Sequence, residues 1–378
     1  MITKSVAEIN KYVGSSVNPM ATPDQIYELY SVPSFESGAP EIVSGADIGS
    51  TKVIVEEGDI LICKINPRIN RVWVVHHNTE HPLLASSEWI VVRNATMNSD
   101  YLKWYFSSPS FRTLLTSQVT GIGGSLTRAQ PKQVAKYPVP IPSRDEQDYV
   151  ADILTRIDNL MHKYQQQIIG IEQLVKSRFI ELFGDYDLTH PQESWVTIKE
   201  IGTVVGGATP KTDHDEYWGG SYRWITPAEL DADSGYIYDS VRKLTKAGVE
   251  SCSLQEMPAG TVILSSRAPI GKVAIAGNTF YCNQGFKNII CKEGITPRYL
   301  YTVLLLNVEY LNSLGRGATF KEISKGIVES IRIPVPSMEL QEQFAAFVEQ
   351  TDKSKLAVQK GLQELEILKK SLMQQYFG

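Results

Sequence analysis

The feature that most constrains this chain is a stretch of sequence that occurs in it twice. "VPIPSRDEQDYV" begins at Val139, and "IPVPSMELQEQF" begins at Ile333. The serines of the two stretches, Ser143 and Ser337, lie 194 residues apart. Such a period is far longer than the roughly 20–50 residues of solenoid repeats. The sequence therefore indicates the duplication of a whole domain.

The repeat extends well beyond these opening residues. At the same offset, residues 137–184 align with residues 331–378 without a gap. The identical pairs are Pro140 and Pro334, Pro142 and Pro336, Ser143 and Ser337, Gln147 and Gln341, Ala151 and Ala345, Asp158 and Asp352, Gln165 and Gln359, Glu172 and Glu366, Leu174 and Leu368, Lys176 and Lys370, Ser177 and Ser371, Phe183 and Phe377, and Gly184 and Gly378. We therefore predict four segments: a globular domain over 1–136, a helix over 137–184, a second domain over 185–330 and a helix over 331–378.

Each repeated segment carries the signals of a long helix. Its prolines are spaced two apart, which favours an extended approach. Ser143 and Glu146 then fit a capping box, and Ser337 followed by Glu339 fits a simpler N-cap. Apolar residues recur every three or four positions, and a glycine follows as a C-cap would. The pattern predicts two amphipathic helices, each about 55–60 Å long.

The apolar seam of these helices is close to the coiled-coil period, so the natural partner of each helix is its own duplicate. The alternative is that each helix packs only on its own domain. Thr351 and Lys355 interrupt the seam of the second helix. If the helices pair, we expect these two positions to face Gln165, Gln167 or solvent rather than a dry core.

The two globular segments have a mixed pattern. Residues Lys52–Ile65 and Ala259–Gly277 alternate apolar and polar side chains around glycine turns, which is typical of strands. Residues Ser99–Ser117 and Thr296–Leu314 have helical spacing behind a serine or threonine. Each domain is therefore predicted to be α/β (α+β), with a twisted sheet followed by helices.

Composition excludes several classes of protein. The net charge of −5 argues against a protein that coats nucleic acid indiscriminately. The four cysteines form no CxxC pair, which leaves no support for a zinc knuckle or a dithiol redox motif. No apolar run approaches the ~18 residues of a membrane span, and Met1–Lys11 lacks the apolar core of a signal peptide. We expect a reducing cytoplasm as the compartment.

Catalytic motifs are not evident. His76, His77 and His81 could suggest a metal site, but they lack the helical spacing of a metalloprotease motif, and the second copy has no equivalent. A polar loop is the favoured interpretation there, and an enzyme with a metal at these histidines stays open as an alternative. The sequence contains no GxSxG nucleophile elbow.

Polar and basic side chains do recur at corresponding loops of the two copies. They are of the types that contact phosphates and base edges. In the first copy they are Lys64, Arg68, Arg71, Ser125, Thr127, Arg128 and Lys132. In the second copy they are Thr209, Lys211, Tyr217, Arg223, Ser266, Arg267, Lys272, Asn283, Gln284, Lys287, Thr319 and Lys321. All of these residues except Ser125 form the predicted DNA-binding set, and no residue is predicted to be catalytic or to bind a metal.

The chain resembles the DNA-specificity subunits of Type I restriction-modification systems. The resemblance rests on the duplicated tails, on "GGATPKTDHDEYWGGSYRWITPAEL" from Gly206 and on "NQGFKNI" from Asn283. The first half lacks a clear counterpart of the second of these motifs, and its assignment rests on "VSGADI", "GDILICKINPR" and the tail.

This resemblance implies two target-recognition domains, each specific for one half of a split sequence in double-stranded DNA. It implies that the two long helices pack antiparallel, set the spacing of the half-sites and dock two methyltransferase subunits. It also implies that the chain has no cofactor of its own. S-adenosylmethionine would be bound by the methyltransferase partner, and ATP and Mg by the restriction partner. The alternative is a duplicated coiled-coil scaffold without DNA recognition.

Overall fold

The computed structural model describes residues 2–120, 127–230, 235–317 and 321–378. These residues form two compact units. The first comprises Met1–Gln167 and Val358–Gly378, and the second comprises Ile168–Ala357. Each unit therefore contains one globular domain together with part of each long helix.

The first half of the chain builds a domain of short strands followed by helices. Its strands are β1 (Ile2–Ser5), β2 (Ser16–Val17), β3 (Ile26–Tyr30), β4 (Glu41–Ser44), β5 (Lys52–Ile54), β6 (Ile60–Cys63), β7 (Val72–Val74), β8 (Leu83–Ala85), β9 (Trp89–Val92), β10 (Val119–Thr120), β11 (Arg128–Ala129) and β12 (Pro138–Ile141). Its helices are α1 (Val6–Ile9), α2 (Ser99–Phe106), α3 (Pro109–Ser117), α4 (Pro131–Val134) and α5 (Arg144–Phe183). The main sheets have the strand orders β2-β5-β8-β3-β4 and β7-β6-β9.

The second half repeats this plan with different lengths. Its strands are β13 (Val196–Thr197), β14 (Gly202–Gly206), β15 (Trp218–Ile225), β16 (Tyr236–Ile237), β17 (Arg242–Leu244), β18 (Val262–Leu264), β19 (Val273–Ala276), β20 (Tyr281–Cys282), β21 (Lys287–Cys291) and β22 (Arg332–Ile333). Its helices are α6 (Ile198–Ile201), α7 (Lys246–Glu250), α8 (Pro297–Leu306), α9 (Val308–Ser313), α10 (Lys325–Ser330) and α11 (Met338–Phe377). The main sheets have the orders β14-β21-β18-β19-β16 and β17-β15-β20.

The predicted fold class is confirmed, and the strands fall where the alternation places them. The predicted helices are each divided in two, however. Pro109 begins α3, because its fixed φ suits the first turn of a new helix after the Ser108 cap. Asn307 separates α8 from α9. The start of each repeated segment is a strand, since β12 pairs with β1 and β22 pairs with β13.

Helices α5 and α11 begin at the predicted N-cap serines. Each helix is 40 residues long. Ser143 Oγ accepts a hydrogen bond from the Glu146 amide at 3.3 Å. Ser337 Oγ accepts one from the Leu340 amide at 3.5 Å. The glycines that follow, Gly184 and Gly378, have φ of 89° and 86°, the left-handed conformation of a C-cap glycine.

The two helices pack antiparallel within each unit. In the first unit Lys369 Nζ lies 2.6 Å from Asp158 Oδ1, and the ring of Tyr164 lies against Gly361. In the second unit the rings of Phe179 and Phe344 are 5.4 Å apart. The helix-pairing prediction is therefore confirmed.

The alternative, in which each long helix packs on its own domain, also describes part of the packing, because the start of each helix lies in the core of a domain. Val150 and Leu154 of α5 belong to the core of the first unit, and Phe344 and Val348 of α11 belong to the core of the second.

One detail of the seam prediction was wrong. Lys355 faces Glu172, with its Nζ 2.7 Å from the carboxylate, rather than Gln165 or Gln167. Thr351 donates its hydroxyl hydrogen bond to the Val348 carbonyl of its own helix. An ion pair satisfies the charge of a lysine that is only 14% exposed, so this part of the seam is polar and paired rather than a dry core.

A repeated glutamine joins each helix start to its domain. Gln147 is buried, and its Oε1 accepts a hydrogen bond from the amide of Asn98, the N-cap of α2. Gln341 is fully buried, and its Oε1 accepts one from the amide of Thr296, the N-cap of α8. Each Nε2 donates back to a proline carbonyl at the start of its own helix, Pro142 or Pro336. The repeated motif thus fixes both long helices to their domains in the same way.

Candidate nucleic-acid interface

Three segments of the first domain meet at the end of β6. The Lys64 carbonyl accepts a hydrogen bond from the Ala129 amide at 2.9 Å, and the Lys64 amide donates to the Glu88 carbonyl at 2.9 Å. The Asn66 amide donates to the Thr127 carbonyl at 2.9 Å. We call this meeting point the first junction: loop 64–71, residues 127–129 and Glu88. It brings together the predicted residues Lys64, Arg68, Arg71, Thr127 and Arg128, and Lys132 lies exposed on the adjacent helix α4.

The loop of the first junction is tightly curled. Asn66 and Asn70 have φ of 50° and 52°, in the left-handed region that asparagine tolerates better than most residues. The Asn70 side-chain amide donates to the Phe106 carbonyl at 3.0 Å, which ties the loop to α2. The loop therefore presents its basic side chains from a defined backbone.

Two arginines of the first junction pair with carboxylates. Arg128 donates from Nε and Nη2 to the two carboxylate oxygens of Glu88, both at 3.2 Å. Arg71 Nε donates to Glu36 Oε1 at 3.0 Å. The two-bond fork of Arg128 fixes the plane of its guanidinium group.

The second domain has the same backbone arrangement at the end of β18. The Ser266 carbonyl accepts from the Ile323 amide at 2.9 Å, and the Ser266 amide donates to the Gly285 carbonyl at 2.8 Å. Arg267 and Glu322 form an isolated bridge. We call this meeting point the second junction: residues 265–267, 283–287 and 321–323.

The two junctions correspond residue by residue. Ile323 lies 194 residues after Ala129, the offset of the repeated tails. Each donates its amide to a carbonyl just beyond a core strand, Ala129 to Lys64 after β6 and Ile323 to Ser266 after β18. Glu322 likewise lies 194 residues after Arg128. The second domain therefore has an acidic side chain where the first domain has a basic one. The scaffold is therefore shared while its side chains differ.

Charged side chains of the second junction converge on Glu322. Its Oε1 lies 3.2 Å from Lys287 Nζ, and its Oε2 lies 3.0 Å from Arg267 Nε. Lys287 also donates to Ser266 Oγ at 3.3 Å. Burial raises the pKa of the Glu322 carboxyl, but hydrogen bonds from Lys287 and Arg267 outweigh it, and the pKa is lowered overall. The carboxylate is thus charged at neutral pH.

A glycine-rich turn lies beside the second junction. The Ala208 amide donates to the Cys282 carbonyl at 3.0 Å. A Cβ on Gly207 would lie only 2.1 Å from that carbonyl oxygen, so this close approach requires glycine. The hydroxyl of Thr209 then donates to Gln284 Oε1 at 2.6 Å. The structure therefore brings Thr209, Asn283 and Gln284 next to Ser266, Arg267 and Lys287.

The remaining predicted residues of the second domain lie in other settings. Arg223 Nε lies 3.2 Å from Asp239 Oδ1, and the ring of Tyr217 stacks on His214. The exposed Lys211 accepts a hydrogen bond from Trp218 at its carbonyl. Lys272 Nζ donates to two backbone carbonyls, those of Pro227 and Leu230, and so holds a turn together. Lys321 is exposed beside Glu322, whereas Ser125 and Thr319 lie outside the described residues.

Sequence reasoning missed one cation of this region. The guanidinium of Arg242 lies 3.5 Å from the ring centroid of Trp218 and 5.4 Å from that of Trp224. Such stacking holds a planar cation at a surface. The two tryptophans in β15 were the available signal, because an aromatic pair on a partly exposed strand favours a cationic neighbour.

The histidine-rich loop is explained by a buried carboxylate. Glu28 is fully buried, and its two oxygens accept hydrogen bonds from the side chains of Asn78 and Thr79 at 2.6 and 2.9 Å. Burial raises the pKa of Glu28, but these hydrogen bonds outweigh it and the pKa is lowered. Within residues 2–120, 127–230, 235–317 and 321–378, no group of three or more His, Cys, Asp or Glu is placed to hold a metal ion. The loop around His76, His77 and His81 is held as a structural turn.

No helix in the described part of the chain combines the length and apolar character that a membrane crossing requires.

Comparison with known proteins gives a consistent result. Residues 193–367 match the family model of the Type I restriction modification DNA specificity domain. The Type I restriction enzyme MjaIX specificity subunit of Methanocaldococcus jannaschii is 43% identical over 185 residues, which is 47% of this chain and 43% of that protein. The chain thus spans less than half the length of that relative.

Longer matches cover most of the chain. The putative Type I restriction enzyme MjaX specificity subunit of the same organism is 23% identical over 355 residues, which is 89% of this chain and 81% of that protein. The crystal structure of a Type I restriction-modification S subunit from M. genitalium has the same fold, with a TM-score of 0.58 and 12% identity over 98% of this chain and 94% of that one. Residues 193–367 thus match the Type I restriction modification DNA specificity domain, and the chain is similar over most of its length to Type I restriction enzyme specificity subunits.

Proposed function

We propose that this chain is the DNA-recognition subunit of a Type I restriction-modification complex, and that each domain recognises one half of a bipartite, asymmetric target. The observation that carries the proposal is the pair of junctions. They share one backbone arrangement, but they present different side chains at equivalent positions, such as Arg128 and Glu322. Two different recognition surfaces on equivalent scaffolds select two different half-sites.

The long helices set the spacing of the two half-sites in this proposal. Paired helices are stiff, and joining two modest binding surfaces raises affinity through effective concentration. The same principle governs dimeric DNA-binding proteins, whose geometry sets the distance between half-sites. The exposed faces of α5 and α11 are the docking surface for two methyltransferase subunits in this proposal.

Chemistry is assigned to the partners rather than to this chain, which acts as a non-catalytic subunit. S-adenosylmethionine is bound by the methyltransferase subunits, and ATP and Mg by the restriction subunits. The complex works on double-stranded DNA in the cytoplasm of a bacterium or archaeon, without a membrane partner. A net charge of −5 fits a subunit that shares non-specific phosphate contacts with basic partners.

A binding selection tests this proposal. The full chain, co-expressed with a Type I methyltransferase subunit, is incubated with a library of random duplex DNA, and the retained molecules are sequenced. We expect one enriched motif with two different halves at a constant spacing. Retention without sequence enrichment would instead support the duplicated scaffold.

A further inference from the structure

Four basic side chains at the junctions pair with carboxylates: Arg71 and Arg128 in the first, and Arg267 and Lys287 in the second. Glu88 accepts both hydrogen bonds of the Arg128 fork. Glu322 divides its two oxygens between Arg267 and Lys287. These acids do not belong to the set that DNA contact would favour, since a carboxylate repels phosphate. Their position directly against the predicted DNA-binding cations therefore needs a reason.

Glu322 is held in place by backbone contacts on both sides. Its amide donates to the Arg316 carbonyl at 3.0 Å, and its carbonyl accepts from the Arg316 amide at 3.1 Å. The Arg267 bridge lies on the other edge of the same residue. A carboxylate on so constrained a backbone stays beside its cations.

The burial of its lysine distinguishes the Lys287–Glu322 ion pair from ordinary surface pairs, whereas Arg128 and Arg267 are about half exposed. Lys353 and Glu349 pair across one helical turn, and both are more than 70% exposed. By contrast, Lys287 is only 14% exposed, and Glu322 joins segments that are distant in sequence. Water screens exposed pairs strongly and partly buried pairs much less.

We propose that Glu322, and Glu88 in the first domain, are specificity-determining residues that hold the junction cations against indiscriminate phosphate binding. This inference rests on the proposed function. DNA of any sequence offers phosphates, and the carboxylate offsets much of their attraction for the junction. A target half-site adds hydrogen bonds at base edges, which an oriented guanidinium fork can make. The acid thus lowers non-target affinity more than target affinity.

The size of the effect follows from counterion release. Removing one carboxylate frees about one cation to neutralise a phosphate, and each neutralised phosphate steepens the dependence of log affinity on log salt by about 0.9. Glu322→Gln is therefore expected to bind random-sequence duplex about five- to tenfold more tightly at about 50 mM salt, with the gain falling below about twofold near 0.5 M.

The test measures binding of the full-length chain to a random-sequence duplex across a salt series. Glu322→Gln and Glu88→Gln are compared with Glu349→Gln, which makes the same change in net charge at an exposed residue of α11 that belongs to neither junction. The first two variants should show the tighter binding and the steeper slope, and the control should remain close to the wild type. Thermal unfolding verifies that each variant is folded.

A second variant protects the test against a simple change of stability. Arg267→Gln added to Glu322→Gln removes the freed cation, and we expect it to return most of the gained affinity. Equal behaviour of Glu322→Gln and Glu349→Gln, or weaker binding by Glu322→Gln, would overturn the inference. Failure of the wild-type chain to bind any duplex would instead count against the proposed function.

Discussion

Replacing Gln341 by alanine tests how each long helix is fixed to its domain. The side chain is fully buried and makes four hydrogen bonds. Its Oε1 accepts from the amide and hydroxyl of Thr296 at 2.8 and 3.2 Å. Its Nε2 donates to the carbonyls of Pro336 and Gly294 at 2.9 and 3.1 Å. Alanine removes all four and can replace none.

The expected cost follows from the groups that lose their partner. A buried polar group left without a hydrogen bond costs about 1–3 kcal/mol. The Thr296 amide is the N-cap amide of α8, whereas the Gly294 residue is exposed and its carbonyl can turn to water. We therefore expect Gln341→Ala to lower the free energy of unfolding of the second unit by about 2–4 kcal/mol. Gln147→Ala, whose side chain contacts Asn98 and Pro142, should cost the first unit less.

Hydrogen exchange and urea unfolding of the full chain measure this effect. Exchange of the Thr296 amide should accelerate by more than tenfold, because each 1.4 kcal/mol corresponds to about a factor of ten. Gln165→Ala is the matched control, since Gln165 is an exposed glutamine of the same helix pair. A Gln341→Ala protein as stable as the control, with unchanged exchange at Thr296, would refute the account of the helix attachment.

Two further perturbations address the first domain and the helices. The pKa of buried Glu28 is lowered from 4.5, so its carboxylate stabilises the fold above that value and the stabilisation is lost as the pH falls through the lower folded-state pKa. The Glu28→Gln variant should therefore lose less stability than the wild type between pH 6 and about pH 3. The urea midpoint of unfolding measures this, and an equal fall of the midpoint in both proteins across that range would contradict the prediction. Deleting seven residues from each of α5 and α11 shortens the helix pair by about 10 Å. The spacing between the half-sites of the methylated motif should then change, while both half-site sequences persist. An unaltered spacing would argue against the helices as the spacer.

Much of the fold was predictable from local patterns. The alternation over Lys52–Ile65 predicted β5 and β6, and the serine and glycine signals predicted both ends of α5 and α11. The apolar seam also identified the pairing of the helices. The apolar seam did not predict the partner of Lys355, because the register of two helices depends on packing along their whole length. The structure places Glu172 opposite Lys355.

The basic residues of the candidate site were predictable from the sequence, and its acidic residues were not. The basic residues of the junctions were found because they recur at matching loops. Glu88 and Glu322 were missed, since an acid is not expected among DNA-binding residues. The offset of 194 that relates Glu322 to Arg128 was visible in the sequence. Whether each predicted residue contacts DNA stays a prediction, and the settings differ, from the exposed Lys321 to Lys272 with its two carbonyl partners.

The repeated glutamine shows a similar limit. The pair Gln147 and Gln341 was recognised as identical, but its role depends on contacts with residues 49 and 45 positions away. A sequence pattern shows that such a residue recurs and gives no information on its hydrogen-bond partners. Local partners differ from this case: the capping boxes of Ser5 with Glu8 and Thr197 with Glu200 follow the Ser/Thr-x-x-Glu pattern, which is visible in the sequence.

The central claim is that each domain independently specifies one half of the target. Its most direct test replaces residues 1–136 with the corresponding domain of another specificity subunit and sequences the methylated bases of the host genome, with the methyltransferase co-expressed. The account predicts a motif in which one half changes while the other half and the spacing are retained. A motif with both halves unchanged, or with both halves altered, would contradict it.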